Sequence, residues 1–386
     1  MTILHAIGQA LETAFFMFWD VLWPLVLGFL ISAVVQAAVP RSAITRLLGR
    51  DDPRGVAFAT LFGAASSSCS YAAVAVARAL FRKGATFANA ILFEFASTNL
   101  VFELGLVILV FLGWQFLAAE FAGGLLMIGI LAVVFKYTLR AGLVERARAQ
   151  AEKGLPGRME GHAAMEPHAA DRLTSVAHYF YMDVASVAQD VVLGFLIAGA
   201  LAAWVPNSFW QGLFLTSQPN VNAFWGPIIA PLLALLSFVC SVGNVPLAVV
   251  LRNGGISFGG VISFIFADLV ILPIVDIYRR YYGWRTSLYL LVTSYGAMVL
   301  AGLAIGGIFA ALGLAPAHHL ITVFQSGPTW NYTTYLNLAA LALAALLGWR
   351  FLRTGGVEML RAMESSPQPG HEMVHDHHVH EHHHHP

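Results

Sequence analysis

Nine apolar segments separated by short polar stretches make up most of this chain. They run roughly over 11–39, 55–81, 86–113, 116–138, 177–205, 224–251, 256–278, 286–314 and 330–352. A helix of about 20 apolar residues crosses the hydrocarbon core of a bilayer, and these segments are long enough to do so. Only 11% of the residues are charged, against about 25% in an average soluble domain. The pattern predicts an all-α polytopic membrane protein.

The two halves of the chain share a sequence pattern. Cys69 and Cys240, the only cysteines, each lie beside serines and precede an apolar run that ends at a basic residue and glycine. The spacing between these cysteines also relates two later sets, Phe87, Ile91, Phe93, Phe95 and Ala96 with Phe258, Ile262, Phe264, Phe266 and Ala267. Upstream, Leu27–Ile31 recurs as Leu193–Ile197. The chain therefore contains a duplicated unit, as many transporters do.

The basic residues indicate which loops face the cytoplasm, where short loops are enriched in Lys and Arg. Basic residues follow both the first and the second segment: Arg41, Arg46, Arg50 and Arg54, then Arg78, Arg82 and Lys83. A segment that begins and ends on one side does not cross the membrane. We therefore predict a re-entrant hairpin over 55–81, with its tip at 63–70. Arg279, Arg280, Arg285, Arg350 and Arg353 favour a second hairpin over 224–251 by the same reasoning.

Two hairpins change the relation between the halves. Three true crossings separate the first and fifth segments, so the repeats become inverted, as in many secondary transporters. The predicted organisation is a first repeat over 1–138, a cytoplasmic linker over 139–176, a second repeat over 177–315, a last helix over 330–353 and a disordered His-rich tail over 354–386. The alternative is nine plain spanning helices with parallel repeats, which places one basic loop of each half outside.

Several of these motifs resemble a known family. Ser67-Ser68-Cys69-Ser70, the run ending Val76-Ala77-Arg78, and Gly84 resemble the predicted-permease family that includes the organoarsenical efflux permeases. The run from Cys240 to Ala248 is similar to that family's second element, and the resemblance covers roughly 10–315. Many members have Cys-Ser-Cys where this chain has Ser68-Cys69-Ser70. The resemblance implies a membrane permease, with methylated trivalent arsenicals as the substrate of one branch.

The two cysteines are the first candidate substrate ligands. In inverted repeats the hairpin tips meet near the middle of the membrane, so Cys69 and Cys240 would be symmetry mates. Thiolates are soft ligands that suit soft metals, and two of them match the free valences of a monomethylated trivalent arsenic. Alternatively, each cysteine is a small packing residue at a crowded tip.

Polar residues around the cysteines complete the predicted substrate path. They are Ser66, Ser67, Ser68, Ser70, Ser237, Ser241 and Asn244. Their hydroxyl and amide groups could bind a polar solute, or satisfy backbone groups that the turn of each hairpin leaves free. Backbone of this irregular kind is tolerated at membrane depth only where protein or water surrounds it.

Carboxylates within the apolar segments are candidates for ion coupling, because a charge there is costly and usually functional. Asp20, Glu94, Glu103, Asp190 and Asp268 are such residues. Glu94 shares a helix face with Ser97, and Asp268 aligns with Ser97 in the duplicated unit. We predict that Glu94 and Asp268 carry coupling protons. The alternative is a structural hydrogen bond to a neighbouring helix.

Histidines dominate the C-terminal tail. His375, His377, His378, His380 and His382 alternate with acidic residues, and imidazole with carboxylate binds zinc, nickel, cobalt or copper. This composition favours a divalent metal at the tail, and a divalent-cation transporter as the second functional hypothesis.

The sequence thus predicts a multi-pass permease of the bacterial inner membrane that exports a small solute. A thiophilic metalloid or metal species is the first candidate for that solute. We expect no cofactor, no nucleic-acid partner and no enzymatic activity. A phosphate-binding P-loop is missing from the sequence, and the spanning segments offer no clear histidine to activate Cys69 or a serine. A passive channel and an intramembrane cysteine or serine enzyme remain as alternatives.

Overall fold

A computed structural model describes residues 3–38, 47–49, 52–66, 70–152, 171–236, 241–316, 330 and 332–364. Helices account for all regular structure within these ranges, which confirms the all-α prediction. The first-half helices are α1 Ile3–Ala38, α2 Pro53–Ser66, α3 Ser70–Arg82, α4 Phe87–Asn99, α5 Phe102–Phe111, α6 Trp114–Thr138 and α7 Ala141–Glu152. The second-half helices are α8 Arg172–Trp204, α9 Asn207–Leu213, α10 Pro219–Leu235, α11 Ser241–Asn253, α12 Phe258–Ile265, the 3-10 helix Phe266–Val270, α13 Leu272–Tyr282, α14 Trp284–Ala311, α15 Tyr332–Arg353 and α16 Gly356–Glu364.

Several predicted site residues lie outside the described ranges. They are Ser67, Ser68, Cys69, Ser237, Cys240 and the tail histidines His375, His377, His378, His380 and His382.

Four stretches of the described chain are long and apolar enough to cross a membrane. They are Phe87–Phe111, Trp114–Thr138, Trp284–Ala311 and Tyr332–Arg353. A fifth arises if Phe258–Val270 and Leu272–Tyr282, which meet at 41°, form one broken span. The chain is therefore a polytopic membrane protein.

The first predicted hairpin is present, because its two ends meet. Leu48 precedes α2, and its carbonyl oxygen accepts hydrogen bonds from the Thr86 amide at 3.1 Å and from the Asn89 side chain at 3.0 Å. Thr86 directly precedes α4. The chain thus leaves through α2 and returns through α3 to the level at which it started, with both helices packed on α4.

The second hairpin closes in a similar way. Asn222, in the first turn of α10, donates to the Gly255 carbonyl at 2.8 Å and accepts from the Ser257 amide at 3.1 Å. Ser257 caps α12 through its hydroxyl, which accepts from the Gly260 amide. The base of this hairpin is therefore pinned to the start of the buried helix that follows it.

Equivalent helices of the two repeats run antiparallel. The side chain of Trp204, at the end of α8, donates to the Ala6 carbonyl near the start of α1, and Phe195 contacts Phe18 further along. Helices α6 and α14 are antiparallel too, since Phe135 lies against Tyr289 while Gly123 lies against Ile305. Antiparallel packing of equivalent elements is the inverted arrangement that the basic loops predicted.

Each repeat also contains a break inside its buried span. In the first repeat the break falls at Leu100 and Val101, after Ser97 and Asn99 have hydrogen-bonded to carbonyls of their own helix. Such bonds compete with regular helix structure. In the second repeat the break falls at Ile271, before Pro273 in the first turn of α13. Proline fits a first helical turn because its missing amide donor has no partner to lose there.

Two sequence-based assignments need correction. Arg78 was counted with the cytoplasmic loop residues, but it lies within α3 and is fully buried. The tail predicted to be disordered from residue 354 begins with α16, which follows Gly355, a glycine with φ of 79°. Met359 and Leu360 are half-buried there, so this stretch has an apolar face that supports a helix.

The predicted linker 139–176 includes α7 and the start of α8.

We expect Gly63→Val to separate the first hairpin from the core. A Cβ atom at Gly63 would clash with the Phe93 carbonyl oxygen and lie 2.7 Å from the Ala96 side chain. Overpacking of this kind typically costs about 1–3 kcal/mol. The thermal midpoint of purified protein should fall, whereas Gly129→Ala, at a position with no neighbour within 4 Å, should leave it near wild type. An unchanged midpoint for Gly63→Val would contradict the close α2–α4 contact.

Candidate functional site

A hydrogen bond between the repeats marks the centre of the candidate site. Ser70, the first residue of α3, donates through its hydroxyl to Asp268 Oδ2 at 2.7 Å, and both side chains are fully buried. Ser70 is the last residue of the predicted first tip, 63–70, and Asp268 lies in the 3-10 helix just before the second break. Thr98, at the end of α4, also hydrogen-bonds to Asp268. Two predicted site residues, Ser70 and Asp268, are thus brought together.

Glu94 lies in the same buried region. It occupies the middle of α4, and its Oε1 accepts a hydrogen bond from the hydroxyl of Tyr278 on α13. The charges of Glu94 and Asp268 are close enough to interact. Glu94 therefore contacts the opposite repeat, as Ser70 does. The two acids that the sequence analysis selected for coupling, Glu94 and Asp268, thus lie in one buried interior.

Arg78 brings a positive charge to this interior. Its Nη2 donates to the Ala151 carbonyl at 2.8 Å, and its guanidinium lies 4.3 Å from the centre of the Tyr281 ring. Ala151 lies on α7, and Arg148 of that helix donates to the Phe81 carbonyl at 2.9 Å. Helix α7 thus ties the returning arm of the first hairpin to α13 of the second repeat.

The remaining predicted polar residues line the tips. Ser241 and Asn244 lie buried in the first turn of α11, within the predicted second tip, 237–244. A Cβ atom at Gly194 would lie 2.8 Å from the Gly243 Cα atom, so α11 approaches α8 very closely. Ser66 ends α2 and is half-buried. Each of these described polar residues therefore lies at or beside a predicted tip.

One buried acid was missed by the sequence analysis. Glu120 lies on α6 and is fully buried, near enough to Asp268 for the two carboxylates to repel each other if both were ionised. Its position between Ala119 and Phe121 within an apolar segment was the signal that could have found it. Glu103, also buried, begins α5, where its Cβ atom lies against Gly28 of α1.

The described acids are not arranged as a metal centre. No group of three or more His, Cys, Asp or Glu side chains in the described ranges could hold a metal ion. Asp276 forms ion pairs of 2.7 Å with Arg279 and Arg280 at the exposed end of α13. That acid belongs to the surface rather than to the buried site.

An open pocket of about 680 Å³ lies at the base of the first hairpin. Its polar lining comprises Asp52, Thr86, Asn89, Lys136 and Arg148, on the hairpin base, α4, α6 and α7. Apolar side chains, including Leu92 of α4, form the rest of the wall. The pocket therefore opens on the side that carries the basic loops.

Comparisons with known proteins agree with this architecture. A family model described as "Predicted permease" matches residues 6–307. A Mycobacterium tuberculosis protein named as a permease, Rv2963, is 54% identical over 346 residues, covering 86% of this chain and 85% of its own length. The UPF0718 protein YraQ of Escherichia coli is 30% identical over 136 residues, covering 34% of this chain and 38% of its own length. No solved structure matches the chain. The match across both repeats shows that this chain belongs to the predicted permease family.

Proposed function

We propose that this permease exports a small thiophilic solute and couples export to protons. A metalloid or soft metal species is the first candidate for that solute. The hydrogen bond from Ser70 to Asp268 carries the proposal. It joins the last residue of one predicted tip to the buried acid just before the break of the other repeat. A change in the protonation or solvation of Asp268 would therefore act directly on the contact between the two repeats.

The arrangement supports alternating access. The solute would enter from the cytoplasm by way of the pocket at the base of the first hairpin and reach the tips beside Ser70 and Ser241. In inverted-repeat transporters the halves rock about a central site. Loss of the Ser70–Asp268 bond would free the tip from the opposite repeat, and its restoration would close the path behind the solute.

The cysteines support the choice of solute. Cys69 is adjacent to Ser70, and Cys240 is adjacent to Ser241, so both thiols border the segments that line the tips. Soft thiolate ligands favour thiophilic species over hard cations. A divalent-cation transporter that uses His375–His382 is the second candidate, favoured by the alternation of histidine and carboxylate in that tail. The bacterial inner membrane is the proposed location, since apolar helices rather than strands span the bilayer.

We expect everted membrane vesicles to accumulate one thiophilic species from a panel of trivalent arsenicals, antimonite and divalent metals. The Cys69→Ser/Cys240→Ser double variant should lose this accumulation, because two thiolate ligands are removed. A variant truncated after residue 364 is the matched control, and it should transport at the wild-type rate. Loss of transport only in the truncated form would favour the His-tail alternative. Accumulation of no panel member would overturn the thiophilic proposal.

A further inference from the structure

Glu120 lies on a face of α6 that packs against the first helix break and against the start of the 3-10 helix that precedes the second break. One turn further along this face, a Cβ atom at Gly123 would lie 2.9 Å from the Phe266 ring, and one at Gly124 would lie 2.7 Å from the Leu100 side chain. Phe266 begins the 3-10 helix that carries Asp268, and Leu100 directly follows α4. Residues three and four apart share a helix face. Glu120 therefore faces the region in which the two repeats meet.

The carboxyl group of Glu120 is enclosed, and no described residue forms an ion pair with it. Neither of its oxygens has a hydrogen-bond partner among the described residues, and the side chain is fully buried. An isolated ionised carboxylate in an apolar interior is so costly that the group takes up a proton instead. A buried, unpartnered acid at this position is thus suited to holding a proton.

Asp268 is the acid whose charge acts on Glu120. The helices packed on α6 carry other titratable groups, namely Glu94 on α4, Glu103 on α5, and Arg285, Tyr289 and Tyr295 on α14, whereas α12 carries none. Tyr289 pairs with Phe135 and Thr138, near the far end of α6. Arg285 lies one turn beyond Tyr289, and the Tyr295 hydroxyl donates to the Ile228 carbonyl.

The helices around Asp268 carry both acidic and basic side chains. Glu94 on α4 and Tyr278 on α13 interact electrostatically with Asp268, and no titratable group occurs on α10. Cations on the neighbouring helices have hydrogen-bond or ion-pair partners other than Asp268. Arg252 on α11 donates to the Pro316 carbonyl, Arg78 on α3 donates to Ala151, and Arg279 and Arg280 pair with Asp276.

The duplicated unit shows that its fold does not require these acids. Helices α6 and α14 both begin with a tryptophan after a glycine of positive φ, Gly113 and Gly283. This match aligns Glu120 with Leu290, which is equally buried. The cysteine spacing aligns Asp268 with Ser97 and Glu94 with Ile265. Apolar or neutral residues fill the equivalent places, so the acids serve a purpose other than packing.

We propose that Glu120 and Asp268 together bind one exchangeable proton at the interface between the repeats. Two neighbouring carboxyl groups in an apolar site do not both ionise, because the second charge is repelled by the first. The proposal rests on the ion coupling proposed above, and it makes Glu120 the residue that shares the proton of Asp268.

Infrared titration of the purified full-length protein in liposomes tests this pairing without any substrate. The signal is the carbonyl stretch of protonated carboxyl groups, followed across pH for wild type, Glu120→Gln, Asp268→Asn and the double variant. We expect each single change to move the titration midpoint of the remaining acid and the double change to remove the component. Glu145→Gln, an exposed acid on α7, should superimpose on wild type.

The pairing is overturned if the Asp268-dependent component titrates identically with and without Glu120. If Glu120→Gln does not fold, Glu120→Leu, which copies the equivalent residue Leu290, takes its place in the same comparison. Transport assays report separately on coupling. A shared proton in a protein that moves solute only downhill would leave this pair intact and overturn the coupled function, and coupled transport without a shared proton would do the reverse.

Discussion

Asp268→Asn and Glu94→Gln are each expected to abolish uphill transport while leaving downhill exchange. An amide is nearly the size of a carboxyl group but does not take up and release a proton near neutral pH. The amide oxygen that Asp268→Asn introduces could still accept the Ser70 hydrogen bond, so the fold should be retained. Both acids are fully buried and contact the opposite repeat, so their charge states bear on the contact that must change during transport.

The measurement is accumulation of the species found with the vesicle panel, in everted vesicles with and without a protonophore. With the protonophore, the solute concentration inside wild-type vesicles should fall to the external concentration, and each variant should reach that same concentration without exceeding it. Asp276→Asn is the matched control, because this acid pairs with Arg279 and Arg280 at the exposed end of α13. Exposed ion pairs contribute about 0–1 kcal/mol. Unchanged uphill transport in both buried variants would remove these acids from coupling.

The basic residues predicted more of the fold than did the apolar pattern. Apolar segments alone are equally consistent with nine plain helices. The placement of Arg54 and Lys83 on both sides of one segment required a hairpin, and the Leu48–Thr86 hydrogen bond confirms it. Charge placement is informative here because it reports on sidedness, whereas hydrophobic segment length reports only on the capacity to span.

The candidate site was only partly predictable, because its contacts are tertiary. Ser70 and Asp268 are 198 residues apart, and no local pattern sets the register between their helices. Arg78 was assigned to a loop because a basic residue at the end of an apolar segment usually reaches water. Its buried position depends on the Ala151 carbonyl and the Tyr281 ring, which belong to α7 and α13 and are supplied by the folded chain.

The inverted repeats predict that Arg54 and Lys83 lie on the cytoplasmic side and Ser217 on the outer side. The two hairpin bases lie at opposite ends of α6. Arg252 and Phe258, at the second base, contact Phe116 near the start of α6, and Arg148, just beyond its end, contacts the first base. A 25-residue helix is roughly 37 Å long, which separates the bases by about the thickness of a bilayer.

Single cysteines at these three exposed positions, introduced into the Cys69→Ser/Cys240→Ser background, test this sidedness. A membrane-impermeant maleimide should label Ser217→Cys in intact cells but label Arg54→Cys and Lys83→Cys only after permeabilisation. The unmodified background, which has no cysteine, is the control for labelling. Nine plain spanning helices would place Arg54 and Lys83 on opposite sides, so labelling of one but not the other in intact cells would overturn the hairpin. Labelling of both only after permeabilisation requires the chain to turn back between them, because a single crossing helix would separate them.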